Sequence, residues 1–84
     1  MKPVKVYSTS NCPYCQRAKN LLKQKGIAFQ EIDLTYDEAA RQSLQEKTGW
    51  MTLPMIFFGE DFIGGCDDLY ALDESGELDK KLNT

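Results

Sequence analysis

The stretch SNCPYCQR, residues 10–17, carries two cysteines three positions apart at the boundary between two different hydrophobic patterns. Before it, residues 3–8 (PVKVYS) alternate apolar and polar side chains, which predicts a β-strand. After it, apolar residues recur at helical spacing as far as Lys25, and Pro13 is suited to the first position of a helix. The stretch therefore predicts a strand, a short loop and a helix, with Cys12 at or near the helix N-cap.

The rest of the chain divides into segments that the same two patterns describe. Glycines that follow the periodic segments mark where helices are expected to stop. The predicted segments are a strand within residues 27–34 (IAFQEIDL), a helix over 37–47 with Ala40 and Leu44 on its inner face, a hairpin of PMIFF (54–58) and FIG (62–64), a helix over 67–75 with Leu69 and Leu72 inward, and a final short turn packed by Leu78 and Leu82.

These elements follow the order β-α-β-α-β-β-α along 84 residues, a length that suits one domain spanning residues 1–84. Two strands joined through a helix are expected to be parallel, with a right-handed crossover. The hairpin adds two antiparallel strands. We therefore predict an α/β protein with a mixed four-stranded sheet flanked by helices, and a two-cysteine motif beside a βαβ unit is typical of the thioredoxin-like fold.

Composition and charge disfavour several classes of function. The net charge of −3 argues against a general nucleic-acid binder, which is usually basic. The chain has no run of eighteen apolar residues, and no apolar signal-peptide core follows Met1, so we expect a cytoplasmic protein that does not enter the membrane. It also shows no long exposed apolar stripe or heptad pattern, so we expect a monomer.

The positive charge is concentrated directly after the cysteine pair, on Arg17, Lys19, Lys23 and Lys25. One interpretation is a solvated helix face. The other is a basic rim beside the thiols that attracts anionic substrates. The sequence alone leaves both interpretations open.

Cysteine and histidine counts narrow the chemistry of the pair. With three cysteines and no histidine, the chain lacks the residues for a Cys₂His₂ zinc site, a Ser-His-Asp triad, a Cys-His pair or a Cys₄ site of its own. The odd count argues against a framework of structural disulfides. Half a zinc site, an iron–sulfur cluster shared by two chains and two unrelated buried cysteines remain minor alternatives. Redox chemistry without a metal, which needs only two thiols, is the leading hypothesis.

The predicted helix gives the two cysteines different roles. Unpaired N–H groups and the positive end of the helix dipole favour the thiolate of Cys12, which lowers the pKa of such a thiol. Cys15 lies one turn further, beside Ala18 and Leu22, where we expect it to be more buried and protonated. Cys12 is therefore predicted to attack, and Cys15 to resolve the mixed disulfide that forms.

Three motifs resemble those of the dithiol glutaredoxins: CPYC (12–15), TLP (52–54) and GGCDDL (64–69). The resemblance covers nearly the whole chain. It implies a glutathione-dependent thiol-disulfide oxidoreductase that serves electron transport and redox homeostasis. Glutathione would be its reducing co-substrate, with no tightly bound cofactor. The implied partners are glutathionylated proteins and disulfide-containing proteins such as ribonucleotide reductase.

The resemblance also implies a glutathione site. Its implied residues are Tyr14, Thr52, Leu53, Pro54, Gly65, Cys66 and Asp67. In the family the Leu53–Pro54 bond would be cis, and Gly65 would let the backbone approach the ligand closely. Asp67 would pair with the ligand's ammonium group, act as a helix N-cap, or do both. Cys66 is either a small packing residue or a side thiol open to oxidation.

The sequence departs from the family at Thr9, where many relatives carry Lys, and at Trp50 and Met51, where many carry Arg or Gln. Those cations help to hold the glycine carboxylate of glutathione, so the affinity for glutathione is left open. One alternative is a redoxin reduced by thioredoxin reductase. Another is an iron–sulfur carrier, although Pro13 counts against it, and a pure binding module is the weakest alternative.

Overall fold

The computed structural model describes residues 2–83. Its helices and strands follow the predicted order, and the predicted final turn is a short helix. They are β1 Val4–Ser8, α1 Pro13–Gln24, β2 Gln30–Asp33, α2 Glu38–Thr48, β3 Met55–Phe58, β4 Asp61–Gly64, α3 Cys66–Ser75 and α4 Leu78–Leu82.

The four strands form one mixed sheet in the order β2-β1-β3-β4. β1 is parallel to β2, with Val6 opposite Glu31, and antiparallel to β3, with Val6 opposite Ile56. β3 and β4 form the predicted antiparallel hairpin. The predicted α/β fold is confirmed, and the central position of β1 delivers the loop after Ser8 to the middle of one edge of the sheet.

The core lies between the sheet and the helices α1, α3 and α4. α1 buries Cys15, Ala18, Leu21 and Leu22, the face that its periodicity predicts. All four residues of β3 are buried, because this inner strand is covered on both faces. Leu78 and Leu82 are each 1% exposed, so the predicted final turn is confirmed as a one-turn helix that closes the core.

Two elements differ from the sequence prediction: α2 is less buried, and β2 is shorter. α2 begins at Glu38 because Asp37 is its N-cap, accepting a hydrogen bond from the Ala40 N–H at 3.1 Å. None of its residues is fully buried, and the predicted inner residues Ala40 and Leu44 are half-buried. β2 covers only four residues of the predicted 27–34, since the buried ends of that segment pack outside the strand ladder.

The start of α3 corrects the sequence prediction. Asp67 is not the N-cap: Gly65 takes that position, and the Gly65 N–H donates to the Asp68 carboxylate at 3.0 Å. A carboxylate three residues into a helix reaches back to the capping residue in this way, as in one half of a capping box. Asp67 is therefore exposed and has no capping hydrogen bond to make.

Candidate active site

Cys12 is the N-cap of α1, as predicted. Its backbone is extended (φ −129°, ψ 98°), and its sulfur accepts a hydrogen bond from the Cys15 N–H at 3.2 Å. Pro13 starts the helix and lacks an N–H, and the first turn of α1 contains no acidic residue. The positive end of the helix dipole therefore acts on the Cys12 sulfur without a carboxylate from that turn to offset it.

The two cysteines are bonded as a disulfide, with their Cα atoms 5.1 Å apart. Cys15 is 1% exposed, whereas Cys12 is only partly covered. A thiol or disulfide partner from solution can reach the outer sulfur and not the inner one. This asymmetry confirms the predicted burial of Cys15 and favours Cys12 as the sulfur that exchanges with substrate.

The peptide bond between Leu53 and Pro54 is cis, as the family resemblance implied. The Leu53 carbonyl oxygen lies 3.7 Å from the Cys12 sulfur. The loop before β3 therefore presents backbone polar groups directly beside the exchanging sulfur. Such groups can pair with the backbone of an extended ligand in the manner of a short strand.

A cavity of about 410 Å³ lies beside the cysteine pair. Two walls form it, the loop before β3 and the start of α3, with Tyr14 at the rim. Its lining residues are Tyr14, Trp50, Thr52, Leu53, Pro54, Gly65, Cys66, Asp67 and Asp68. All seven residues that the resemblance assigned to glutathione thus line one cavity. The sequence prediction missed Asp68. Its place in the cavity wall follows from the start of α3 at Cys66, which lets the Asp68 carboxylate accept a hydrogen bond from the Gly65 N–H.

The glycines before α3 have different requirements. Gly64 has φ 122°, and a Cβ atom there would overlap the Asp68 carboxylate. A Cβ at Gly65 would lie 3.5 Å from the Pro54 carbonyl oxygen, which is ordinary contact. The strict need for glycine therefore falls on Gly64, one residue before the predicted position.

Cys66 is 3% exposed and belongs to the hydrophobic core. Burial raises the pKa of its thiol, while the charge of Arg17 acts in the opposite direction. A buried and protonated thiol is a poor nucleophile. The structure therefore favours the packing interpretation of Cys66 over the reactive side thiol.

Of the two interpretations of the charge after the cysteine pair, the basic rim is weakened by two ion pairs. Lys19 pairs with Glu31 at 2.7 Å, and Lys25 pairs with Asp73 at 2.9 Å. The guanidinium of Arg17 lies over two aromatic rings instead, 5.9 Å from the ring centre of Tyr14 and 5.4 Å from that of Tyr70. These contacts hold a positive charge near the rim of the cavity.

Trp50 packs against Phe62 edge to face, with ring centroids 5.6 Å apart, and forms part of the cavity wall. Its indole N–H is buried and has no hydrogen-bond partner within residues 2–83. Trp50 therefore both lines the cavity and packs on the β3–β4 hairpin.

No helix within residues 2–83 combines the length and apolar character needed to cross a membrane. Within the same range, no group of three or more acidic, histidine or cysteine side chains converges as a metal site.

Comparison with known proteins gives one family. A model of the glutaredoxin family matches residues 4–63. A glutaredoxin of Pseudomonas aeruginosa is 49% identical over 83 residues, covering 99% of both chains. Glutaredoxin 3 of Escherichia coli K12 is 48% identical over 82 residues, covering 98% of this chain and 99% of that protein. The buckwheat glutaredoxin–glutathione complex has 35% identity and a TM-score of 0.92, covering 98% of this chain and 77% of that one.

Proposed function

The chain belongs to the glutaredoxin family of glutathione-dependent thiol-disulfide oxidoreductases, and on that premise we propose that it reduces mixed disulfides between glutathione and protein cysteines through Cys12. Cys15 would resolve the disulfides that form between Cys12 and protein substrates. The observation that carries the proposal is the position of the outer sulfur. Cys12 is a helix N-cap, and its partly exposed sulfur lies beside a cavity whose polar groups can bind glutathione.

The proposed reaction balances with glutathione as the only reductant. The Cys12 thiolate attacks the glutathione sulfur of a mixed disulfide, and the protein sulfur leaves as a thiolate that takes a proton from water. A second glutathione thiolate attacks the glutathione sulfur bound to Cys12. This step releases glutathione disulfide and restores the Cys12 thiolate. For a protein disulfide, Cys12 first attacks one sulfur and forms a mixed disulfide with the protein. The Cys15 thiolate then attacks the Cys12 sulfur, releases the reduced protein and forms the Cys12–Cys15 disulfide, which two glutathione thiols reduce with release of glutathione disulfide.

The cavity suits the amino-acid end of glutathione. The first N–H groups of α3 can bind the α-carboxylate of the γ-glutamyl part, because helix N-termini favour anions. The exposed carboxylate of Asp67 can pair with the neighbouring ammonium group. Leu53 would pair with the cysteinyl part through its backbone, and Tyr14 and Thr52 would flank the ligand.

A cation for the glycine carboxylate is available on α2. The Gln45 side chain donates to the Met51 carbonyl oxygen at 3.5 Å, between the cavity-lining residues Trp50 and Thr52. Arg41 lies one helical turn before Gln45 on the same half-buried face. We propose that Arg41 supplies the charge that Thr9, Trp50 and Met51 do not.

The test is reduction of a glutathionylated peptide by glutathione, with wild type, Cys12→Ser and Cys15→Ser. We expect wild type and Cys15→Ser to be active and Cys12→Ser to be inactive. A parallel assay replaces glutathione with thioredoxin reductase. Reduction in that assay alone would contradict the proposal and favour the redoxin alternative.

We also propose that disulfide-containing proteins such as ribonucleotide reductase are substrates that require both cysteines. Glutathione would be a transient co-substrate and not a resident cofactor. We also propose a cytoplasmic location, because cytoplasmic glutathione pools are kept reduced. The proposed oligomeric state is a monomer.

A further inference from the structure

Three large hydrophobic side chains are exposed among residues 2–83: Tyr14 at 54%, Tyr36 at 99% and Met51 at 66%. Each lies on a segment that contains, contacts or is hydrogen-bonded to the loop of the exchanging cysteine. Tyr14 follows Cys12 by two residues. Met51 lies two residues before Leu53, and the carbonyl oxygen of Leu53 is 3.7 Å from the Cys12 sulfur. Exposed apolar side chains that cluster around a reactive group mark a surface for a partner.

Tyr36 reaches the same neighbourhood through the loop between β2 and α2. The Ser10 N–H donates to the Thr35 hydroxyl at 2.9 Å, and the Leu34 N–H donates to the Ser8 carbonyl oxygen at 2.7 Å. These bonds tie the loop that carries Tyr36 to the loop that leads into Cys12. Tyr36 therefore lies on the β2 side of the cysteine pair.

Tyr36 and Met51 are not part of the cavity that Tyr14 lines. When Cys12 attacks a glutathionylated protein, the glutathione sulfur lies between the Cys12 sulfur and the departing protein sulfur. With glutathione in the cavity, the polypeptide must lie outside it. Since neither residue lines the cavity, the exposed side chains of Tyr36 and Met51 are available to that polypeptide.

The surroundings of Tyr36 carry negative charge. Asp33, Asp37 and Glu38 are exposed on the same loop and at the start of α2, and none of them forms an ion pair within residues 2–83. Hydrogen bonds from Thr35 hold the pKa of Asp33 below its usual value, so this carboxylate stays ionised. Lys19, whose charge acts on Asp33, is engaged by Glu31 at 2.7 Å. A cationic segment is therefore the complement of this surface.

We propose that Tyr36 and Met51, together with Asp33, Asp37 and Glu38, form a docking face for the polypeptide of glutathionylated partners. The preferred partner carries an apolar side chain and a lysine or arginine next to its modified cysteine. This inference rests on the proposed function and extends it to the choice among protein substrates. Tyr36 supplies apolar area, and the carboxylates supply orientation.

The test compares two glutathionylated peptides of equal length, one with Leu and Lys beside the cysteine and one with Ser and Glu. A third substrate, the mixed disulfide of glutathione and 2-mercaptoethanol, has no polypeptide to dock. We expect wild type to prefer the Leu-Lys peptide by about tenfold in kcat/KM, the effect of burying one apolar side chain together with a favourable charge. Tyr36→Ser and Glu38→Lys should each remove most of this preference and leave the small substrate unchanged.

A matched control is Glu60→Lys, which makes the same charge change in the β3–β4 turn at the opposite end of the sheet. It should leave the preference intact. Equal turnover of the two peptides by an enzyme active on the small substrate would overturn the docking face, as would a Glu60→Lys effect as large as that of Glu38→Lys. An enzyme inactive on the small substrate would overturn the proposed function and the docking face with it.

Discussion

The sulfur of Cys12 lies 3.7 Å from the carbonyl oxygen of Leu53, the residue that precedes a cis proline. This contact joins two parts of the chain that are 41 residues apart in sequence. It places the N-cap of α1 at the edge of the cavity whose other wall is the start of α3. The Cys12 sulfur and the cavity beside it are therefore brought together by the ends of three different elements.

Asp67 and Asp68 are adjacent in sequence, but substitutions at the two positions are predicted to affect different properties, ligand binding at Asp67 and stability at Asp68. Asp67 is exposed in the cavity, so Asp67→Asn should raise KM for glutathione by about fivefold with little change in stability. Asp68 accepts a hydrogen bond from the Gly65 N–H, so Asp68→Ala, which removes the acceptor, should cost about 1 kcal/mol and lower the Tm by about 4–8 °C. Steady-state kinetics and thermal unfolding of both variants check this division, and a reversed pattern would contradict it.

Gly64 and Gly65 provide a second matched pair. Gly64→Ala should destabilise the protein by about 1–3 kcal/mol, because φ is 122° there and the new Cβ meets the Asp68 carboxylate. Gly65→Ala should fold normally, since its Cβ finds ordinary contacts, and should weaken glutathione binding by narrowing the cavity. Chemical denaturation separates the two variants. Equal stability would show that the α3 entry is less constrained than its geometry indicates.

Arg41 is predicted to act on binding and not on the chemical step. Arg41→Ala should raise KM for glutathione by about fivefold and leave kcat unchanged, as loss of a partly exposed ion pair would. Lys47→Ala is the control, because it removes a charge from the same helix near its last turn. If Lys47→Ala has the same effect, the cause is the general charge of α2 and not a contact from Arg41.

Glu31 is predicted to make stability depend on pH in the acid range. Hydrogen bonds from Lys19 and then Ser8 hold the pKa of this carboxyl below its ordinary value of 4.5. A lowered pKa in the folded state gives stability that is present above pH 4.5 and is lost as the pH falls through the folded value. Glu31→Gln should therefore lower the Tm at neutral pH and make its fall with acid shallower.

The control for that prediction is Glu74→Gln, at an exposed position of α3. It should leave both the Tm and its acid dependence close to wild type. Parallel acid curves for wild type and Glu31→Gln would contradict the assigned role of the Lys19–Glu31–Ser8 contacts. Because the Glu31 side chain is 41% exposed, high salt should weaken its contribution.

Local patterns in the sequence were sufficient for much of the fold and for the reactive cysteine. Alternation gave β1, helical spacing gave the buried face of α1, and Pro13 marked the start of that helix. Each of these signals acts over a few neighbouring residues. The position of Cys12 at the N-cap follows from them directly, which is why that prediction held.

Features that depend on tertiary contacts could not be predicted from local sequence patterns. The choice between a basic rim and a solvated helix face depended on the pairing of Lys19 with Glu31, a residue on a strand that the sequence cannot place against the helix. The N-cap of α3 shifted from Asp67 to Gly65 because Asp68 reaches backwards to the Gly65 N–H. The cis bond before Pro54 came from the family resemblance, since the dipeptide itself favours trans.

The most direct test of the account is to trap the intermediate on Cys12. Reduced Cys15→Ser protein is mixed with glutathione disulfide, and the modified cysteine is located by peptide mass spectrometry. We predict one glutathione on Cys12 and none on Cys66, because Cys66 is 3% exposed and burial raises the pKa of its thiol. Modification of Cys66 alone, or no adduct at all, would contradict the assignment of Cys12 as the sulfur that exchanges with glutathione.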